Sequence, residues 1–311
     1  MDKKSLRDGF GEKLVELGKI NEKIVVFSAD LEDSTRAEFF KKAFPDRFFN
    51  MGIAEQDMVG TAAGFAKMGF IPFVSSFAVF LTNQAYGVIR MMACYNRLPI
   101  KFVATHAGLT VGEDGASAQS LEDIAIMRVL PEMKVIVPSD YYETKSVIEK
   151  IVSIDSPVYV RLSRADFPVI NKENFDFQIG KGNLILDGKD ATIIAVGVMV
   201  SRAIQAANEL KEENISCRVI NMSSVKPIDE NLIIESAIET GCIITAEEHQ
   251  IYGGLGSAVS EVLSRHYPVP IEFVAVNDVF GESGEAEQLL DEYGLSVENI
   301  KNSVKKVINR K

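Results

Sequence analysis

Short apolar runs alternate with amphipathic stretches along this chain, and the alternation stops once and then restarts. In the first half, residues 24–28, 70–75, 100–105, 134–137 and 158–162 are rich in Val, Ile and Phe and end in polar or turn residues. Runs of this length and composition read as buried strands. Helical patterns fill the intervals, over 5–17, 57–68, 83–95, 120–128 and 142–154. Strand–helix alternation of this kind builds a mostly parallel sheet covered on both faces. Polar residues and glycines break the pattern over 171–182. It resumes with strands at 191–196, 216–220, 242–246 and 271–276 and helices at 200–212, 231–239 and 255–264. The expectation is an α/β protein of two consecutive three-layer domains, 1–170 and 186–311, joined by a linker over 171–185. Residues 284–309 start with acids and end in lysines, which suits a helix dipole and predicts a solvated terminal helix.

A net charge of −11 with no basic run argues against a nucleic-acid partner. No apolar run is long enough to span a bilayer, and no N-terminal signal peptide is visible. Cys94, Cys217 and Cys242 are widely spaced and apolar in context, which predicts reduced, packed thiols in a cytoplasmic protein. His106, His249 and His266 are scattered, so no metal site is expected from this chain.

Ligands of open α/β sheets bind beyond the carboxyl ends of strands. Glu55, in Asn50-Met51-Gly52-Ile53-Ala54-Glu55-Gln56, is a lone acid between apolar segments. Burying such a group without a partner is costly, so it stays protonated or finds one dedicated partner. The plain alternative is an acid at the start of the helix near Gln56. Asp30 and Ser34 lie in the polar segment 28–36 after the first strand, which also reads as a loop with a helix cap. His106 ends the third strand, and Asp114 sits in the loop Gly112-Glu113-Asp114-Gly115, where glycines let the backbone turn sharply. Arg164 follows the last strand of the first half, where a guanidinium can fork onto a carboxylate or phosphate. Converging strand ends would gather these groups in one crevice suited to a polar, phosphorylated substrate beside an organic cofactor. Gly253-Gly254-Leu255-Gly256 opens a helix and reads as close packing more than as an anion site.

These strings, with Gly52–Gln56, Ala104-Thr105-His106, Leu162-Ser163-Arg164 and Glu247-Glu248-His249, resemble the transketolase family over about 6–308. The resemblance implies a thiamine diphosphate pyrimidine-binding domain followed by a transketolase C-terminal-like domain. It implies that Glu55 hydrogen-bonds the cofactor's aminopyrimidine, that Phe77 or Phe80 and Asp30 lie against the cofactor, and that Asp114 binds a substrate hydroxyl. His106, Arg164 and Ser34 would take the sugar phosphate. The family's Gly-Asp-Gly motif for magnesium and diphosphate is not found in this sequence. Thiamine diphosphate and Mg²⁺ would then be completed by a partner, the N-terminal transketolase subunit, in a heterotetramer. Ala118 stands where the family usually has a histidine. That substitution implies a different ketose donor, slower turnover or a group borrowed from the partner. The other readings are a beta-type subunit of a 2-oxo acid dehydrogenase, a relative of deoxyxylulose-phosphate synthase, and a catalytically weak partner subunit.

Overall fold

The computed structural model describes residues 2–311. In chain order the strands of the first half are β1 (Lys3–Ser5), β2 (Ile24–Ser28), β3 (Phe48–Asn50), β4 (Ile71–Phe77), β5 (Lys101–Thr105), β6 (Lys134–Ile136), β7 (Val158–Arg161) and β8 (Asp166–Pro168). The second half adds β9 (Asn183–Leu186), β10 (Ala191–Ala195), β11 (Cys217–Asn221), β12 (Ser224–Lys226), β13 (Ile243–Gln250) and β14 (Ile271–Val276). One sheet runs β12-β6-β7-β5-β4-β2-β3 and the other β14-β13-β10-β11-β9, while β1 and β8 form a small antiparallel ribbon. Both large sheets are parallel except at one edge, where β12 meets β6 and β9 meets β11 in antiparallel fashion. The α/β expectation of two successive layered units is what the chain forms.

The period-2 rule is visible within β2. Ile24 and Val26 join Phe10 and Leu14 of helix Leu6–Ile20 on one side of the sheet. Val25 and Phe27 join Met58, Val59 and Ala62 of helix Glu55–Lys67 on the other. Neither face of the strand meets water, so the whole run is apolar. Ser5 starts the first helix by accepting from the Asp8 N–H at 3.3 Å.

Three expectations change. The 83–95 pattern is a wide-turned segment, π-helical over Phe80–Gln84 and Ile89–Tyr95 around a short α-turn, Ala85–Val88. The 284–309 segment is two helices, Ala286–Glu292 and Val297–Ile308, and the second is not simply solvated. Its Ile300, Val304 and Val307 recur at helical spacing and are fully buried. The polar stretch around 171–182 lacks regular structure but is pinned. The Phe177 N–H donates to Ser146 Oγ at 2.9 Å, and those of Ile170 and Asn171 donate to Asp140 Oδ2.

Two features tie the halves together. β12, from the second half, extends the first sheet beyond β6. Glu143, fully buried on helix Tyr141–Ile151, accepts from Ser139 N–H and Oγ, and across the boundary from Asn221 Nδ2 at 2.9 Å and Ser223 Oγ at 2.5 Å. Burial pushes its carboxyl above the ordinary range, against the pull of those donors. Cys94, Cys217 and Cys242 are buried free thiols. No helix of the described residues is long and apolar enough to cross a membrane.

Candidate active site

The chain leaves β2 to pair β3 on one side and returns to pair β4 on the other. This reversal opens a crevice at the strand ends. The backbone after β2 turns at Asp30, which has φ +61°. Asn50, ending β3, fixes this turn. Its side-chain oxygen accepts from the Asp30 N–H at 3.1 Å and the Gly52 N–H at 3.0 Å, and its Nδ2 donates to Asp30 Oδ1 at 3.2 Å. Gly52 takes φ +70°, and the chain then enters the helix at Glu55, two residues before the expected 57–68 pattern.

Glu55 is only 7% exposed. Among the described residues its hydrogen-bond partner is Ser76, whose hydroxyl donates to Oε1 at 3.2 Å. The carboxyl lines an open cleft of about 560 Å³ with Ile53, Gln56, Phe80 and Gln84. Gln56 Nε2 donates to the Gln84 carbonyl at 2.9 Å and closes one wall.

A second cleft, about 390 Å³, gathers Arg7, Ser34, Arg36, His106 and Arg164. Arg7 spans it, donating to the carbonyls of Ser34 at 2.7 Å and Arg164 at 2.8 Å. Arg164 also donates to the Val111 carbonyl at 3.0 Å, and Arg36 pairs with Asp8 at 2.7 Å. Burial, then Arg7, Arg164 and Arg36, push the His106 pKa down to about 3. The imidazole is therefore neutral at physiological pH. Burial and the nearby Arg36 also hold Arg7 below its usual value. Arg7 and Arg164, with Arg36 already paired to Asp8, outnumber the one lining acid, Asp33, and give the hollow the positive excess that suits an anion.

The clefts are joined by a row of rings. His106 stacks on Phe77 with centroids 3.7 Å apart, and Phe77 stacks on Phe80 at 5.6 Å. Phe80 faces the Glu55 cleft, whereas Phe77 is packed behind it. Ser34, His106 and Arg164 thus come together, as do Glu55 and Phe80. Asp30 and Asp114 are exposed on their loops and line neither cleft. Ala118 is buried in the turn after Gly115. Arg7, Arg36 and Ser76 escaped the sequence reading. Arg36 ends a segment that reading had marked, while Arg7 lies in a helix's first turn and carries no local signature. A larger hollow of about 750 Å³, bordered by Arg202, Glu287 and Asp291, lies away from these strand ends. Its arginine is already committed to both acids.

The Gly253–Gly256 turn is packing. Glu247 accepts from the Leu255 and Gly256 N–H groups at 2.7 and 2.8 Å, so the chain's own carboxylate fills that helix N-terminus. A Cβ at Gly256 would lie 2.4 Å from Phe273. No group of three or more His, Cys, Asp or Glu side chains able to hold a metal ion is present among the described residues.

Two stacked α/β units with a buried acid and an anion cleft at one set of strand ends define a two-domain crevice protein. Residues 2–169 match the model of the transketolase pyrimidine-binding domain and residues 180–300 that of the transketolase C-terminal domain. The chain belongs to the transketolase family. It is 50% identical over 300 residues to a putative transketolase C-terminal section of Methanocaldococcus jannaschii, covering 96% of this chain and 94% of that one. It is 38% identical to a 6-deoxy-6-sulfo-D-fructose transketolase subunit of a Clostridium species, covering 98% of this chain and 95% of that one. It is also 39% identical to one of the subunits of the apulose-4-phosphate transketolase of Phocaeicola vulgatus, with 94% of each covered. A solved structure described as a split gene transketolase, inactive beta4 tetramer, superposes with a TM-score of 0.92 at 49% identity, over 98% of each chain.

Proposed function

We propose that this chain is the catalytic C-terminal subunit of a two-gene transketolase that moves a two-carbon ketol unit between sugar phosphates. The observation that carries the reading is the buried Glu55 carboxyl, with Ser76 as its hydrogen-bond partner, facing a cleft walled by Phe80. Thiamine diphosphate, when bound, supplies the acidic thiazolium carbon on which the two-carbon unit is carried. Glu55 would hold a proton at the ring nitrogen of the aminopyrimidine, and Phe80 would cover the ring face. Ser76 keeps the carboxyl aimed into the cleft. Arg7, Ser34, Arg36 and Arg164 bind the anionic end of the sugar, and neutral His106 serves as a hydrogen-bond donor or acceptor there. Asp114 and Asp30 line neither cleft, so the substrate-hydroxyl and cofactor contacts proposed for them would be made from their exposed loops.

The chain's residues fit the pyrimidine half of the cofactor. The diphosphate and Mg²⁺ are assigned to a partner subunit, in a heterotetramer. The inactive tetramer among the similar structures supports this division of labour. The relatives named for a sulfonated and a phosphorylated sugar support an anionic substrate. The buried free thiols support a reducing, cytoplasmic setting.

A ketol-transfer assay tests the reading. This chain is co-purified with its candidate partner and given thiamine diphosphate, Mg²⁺, xylulose 5-phosphate and ribose 5-phosphate, with the chain alone as control. Activity in the mixture alone is the expected result. A complex that binds cofactor and transfers nothing counts against the reading, and Ala118→His is then the first substitution to make.

A further inference from the structure

We propose that Glu248, supplied by the second half of the chain, is the positioning residue for the loop that carries His106 at one end and Asp114 at the other. The inference rests on the anion-cleft reading above for its kinetic consequence, and on geometry alone for the loop.

Glu248 lies near the end of β13 and is 2% exposed. Its Oε1 accepts from the Thr110 N–H at 2.6 Å. Gly108 makes the approach possible. It has φ +85°, and a Cβ there would lie 2.2–2.5 Å from the carboxylate atoms. Side chains larger than hydrogen would push the loop off the carboxylate.

The nearest cation makes no hydrogen bond to this carboxylate. Arg161, almost fully buried on β7, spends Nε on Asp123 at 2.9 Å, and Asp123 also accepts from Tyr159 OH at 2.7 Å. Arg161 Nη2 donates to the backbone carbonyl of Glu248 at 2.8 Å and to that of Ser120. The Glu248 side chain stands 3.9 Å from Arg161 Nη1, and its Oε2 has no hydrogen-bond partner. Asp123 therefore neutralises Arg161, and the close bond of Glu248 goes to the loop amide. Burial pushes the Glu248 carboxyl up to about 7, while Arg161 and Thr110 pull it down.

The loop leads directly into the anion cleft. The next carbonyl after Thr110, that of Val111, accepts from Arg164. Displacing Thr110 shifts that acceptor and turns the Arg164 fork away from the anion. Glu55 and Phe80 line the other cleft and lie outside this loop.

Docking of β13 does not depend on the carboxylate. The Gln250 N–H donates to the Leu121 carbonyl at 2.7 Å, and the Ala125 N–H to His249 Nε2 at 3.3 Å. Glu248→Ala is thus expected to fold. The test uses Glu248→Ala and Glu248→Gln in the full chain, above the carboxyl's titration near 7. Hydrogen–deuterium exchange of the Leu109–Asp114 amides is measured on the chain. KM and kcat for xylulose 5-phosphate are measured on the complex with the partner. In Glu248→Ala, exchange at Thr110 and KM should each rise about tenfold, the scale of one lost charge-assisted hydrogen bond, with kcat nearly unchanged. Glu248→Gln, which keeps an acceptor of the same shape, should fall between. Thr110 exchange as slow as in the parent protein, or a loss in kcat with KM unchanged, overturns the proposal. If Glu248→Ala does not fold, Thr110 exchange in Glu248→Gln decides in the same way. If the parent complex transfers no ketol unit, the functional reading fails while the exchange arm still judges the loop.

Discussion

His106 lies flat against Phe77, ring centroids 3.7 Å apart and planes within 15°. That stacking hides the imidazole from water on one side, while Arg7, Arg164 and Arg36 oppose a positive charge on it from the other. Its pKa falls from the ordinary 6.5 to about 3. Between those values the unfolded chain binds a proton that the folded chain does not, so stability rises with pH across the window. The contribution is fully present above 6.5 and lost as pH falls toward 3. His106→Gln should flatten the acid limb of a plot of urea midpoint against pH. Parallel curves for the two proteins would show that His106 is not the group responsible.

Glu55→Gln keeps the side chain's shape but cannot share a proton with a ring nitrogen. Turnover should fall by about 10² to 10⁴, the usual range for removing a proton-transfer group. Folding and partner association should be almost unaffected, because Ser76 can still donate to the amide oxygen. Steady-state assays paired with thermal melts check both halves of the expectation. Turnover near the parent level would remove the cofactor-activating role.

Arg164→Ala removes one of the three guanidiniums at the anion cleft and frees the Val111 carbonyl. A lost hydrogen bond to a charged group costs about 1.5–3 kcal/mol, which corresponds to roughly a 10- to 100-fold rise in KM for a phosphorylated ketose. Cofactor affinity should stay the same. Titrations of KM for phosphorylated and unphosphorylated ketoses separate the cases, since only the former should respond.

The two phenylalanines should behave differently although they stack on one another. Phe80 is half-buried at the Glu55 cleft, so Phe80→Ala should weaken thiamine diphosphate binding and leave stability little changed. Phe77 is packed between Phe80 and His106, and Phe77→Ala should cost about 3–5 kcal/mol of folding stability. Chemical denaturation and cofactor titration on both variants distinguish the roles. Reversed behaviour would place Phe77 at the cofactor.

What could be read from the sequence follows what leaves a local trace. The strands at 24–28 and 271–276 were expected residue for residue, because short apolar runs bounded by polar residues have few other readings. Ser34, His106 and Arg164 were marked by their places after strands and singled out by the family resemblance, and the structure brings them to one cleft. Arg7 follows the three-residue strand β1, which is too short and too polar to show in the sequence, so its position in a helix's first turn gave no signal. Asp114 and Asp30 follow strands as well, yet both are exposed on their loops and line neither cleft. β12 was missed because three residues show no periodicity and their partner, β6, lies far back in the chain. Burial of Ile300, Val304 and Val307 was missed because the charged ends of that segment masked its apolar stripe.

The crossing of β12 and the Glu143 cluster make one further expectation concrete. The division at about residue 170 suggests a first domain that could be expressed alone. A fragment of residues 1–170 would leave the β6 edge without β12, exposing unpaired N–H and C=O groups. It would also take Asn221 and Ser223 from Glu143, leaving the two donors of Ser139 and removing the cover that the second half places over that carboxyl. The fragment should therefore aggregate or lose fixed packing, while the full chain stays well folded. Size-exclusion chromatography and near-UV circular dichroism on both proteins check this. A monodisperse fragment with native near-UV signal would mean that the second half merely covers the first domain and is not needed to hold it.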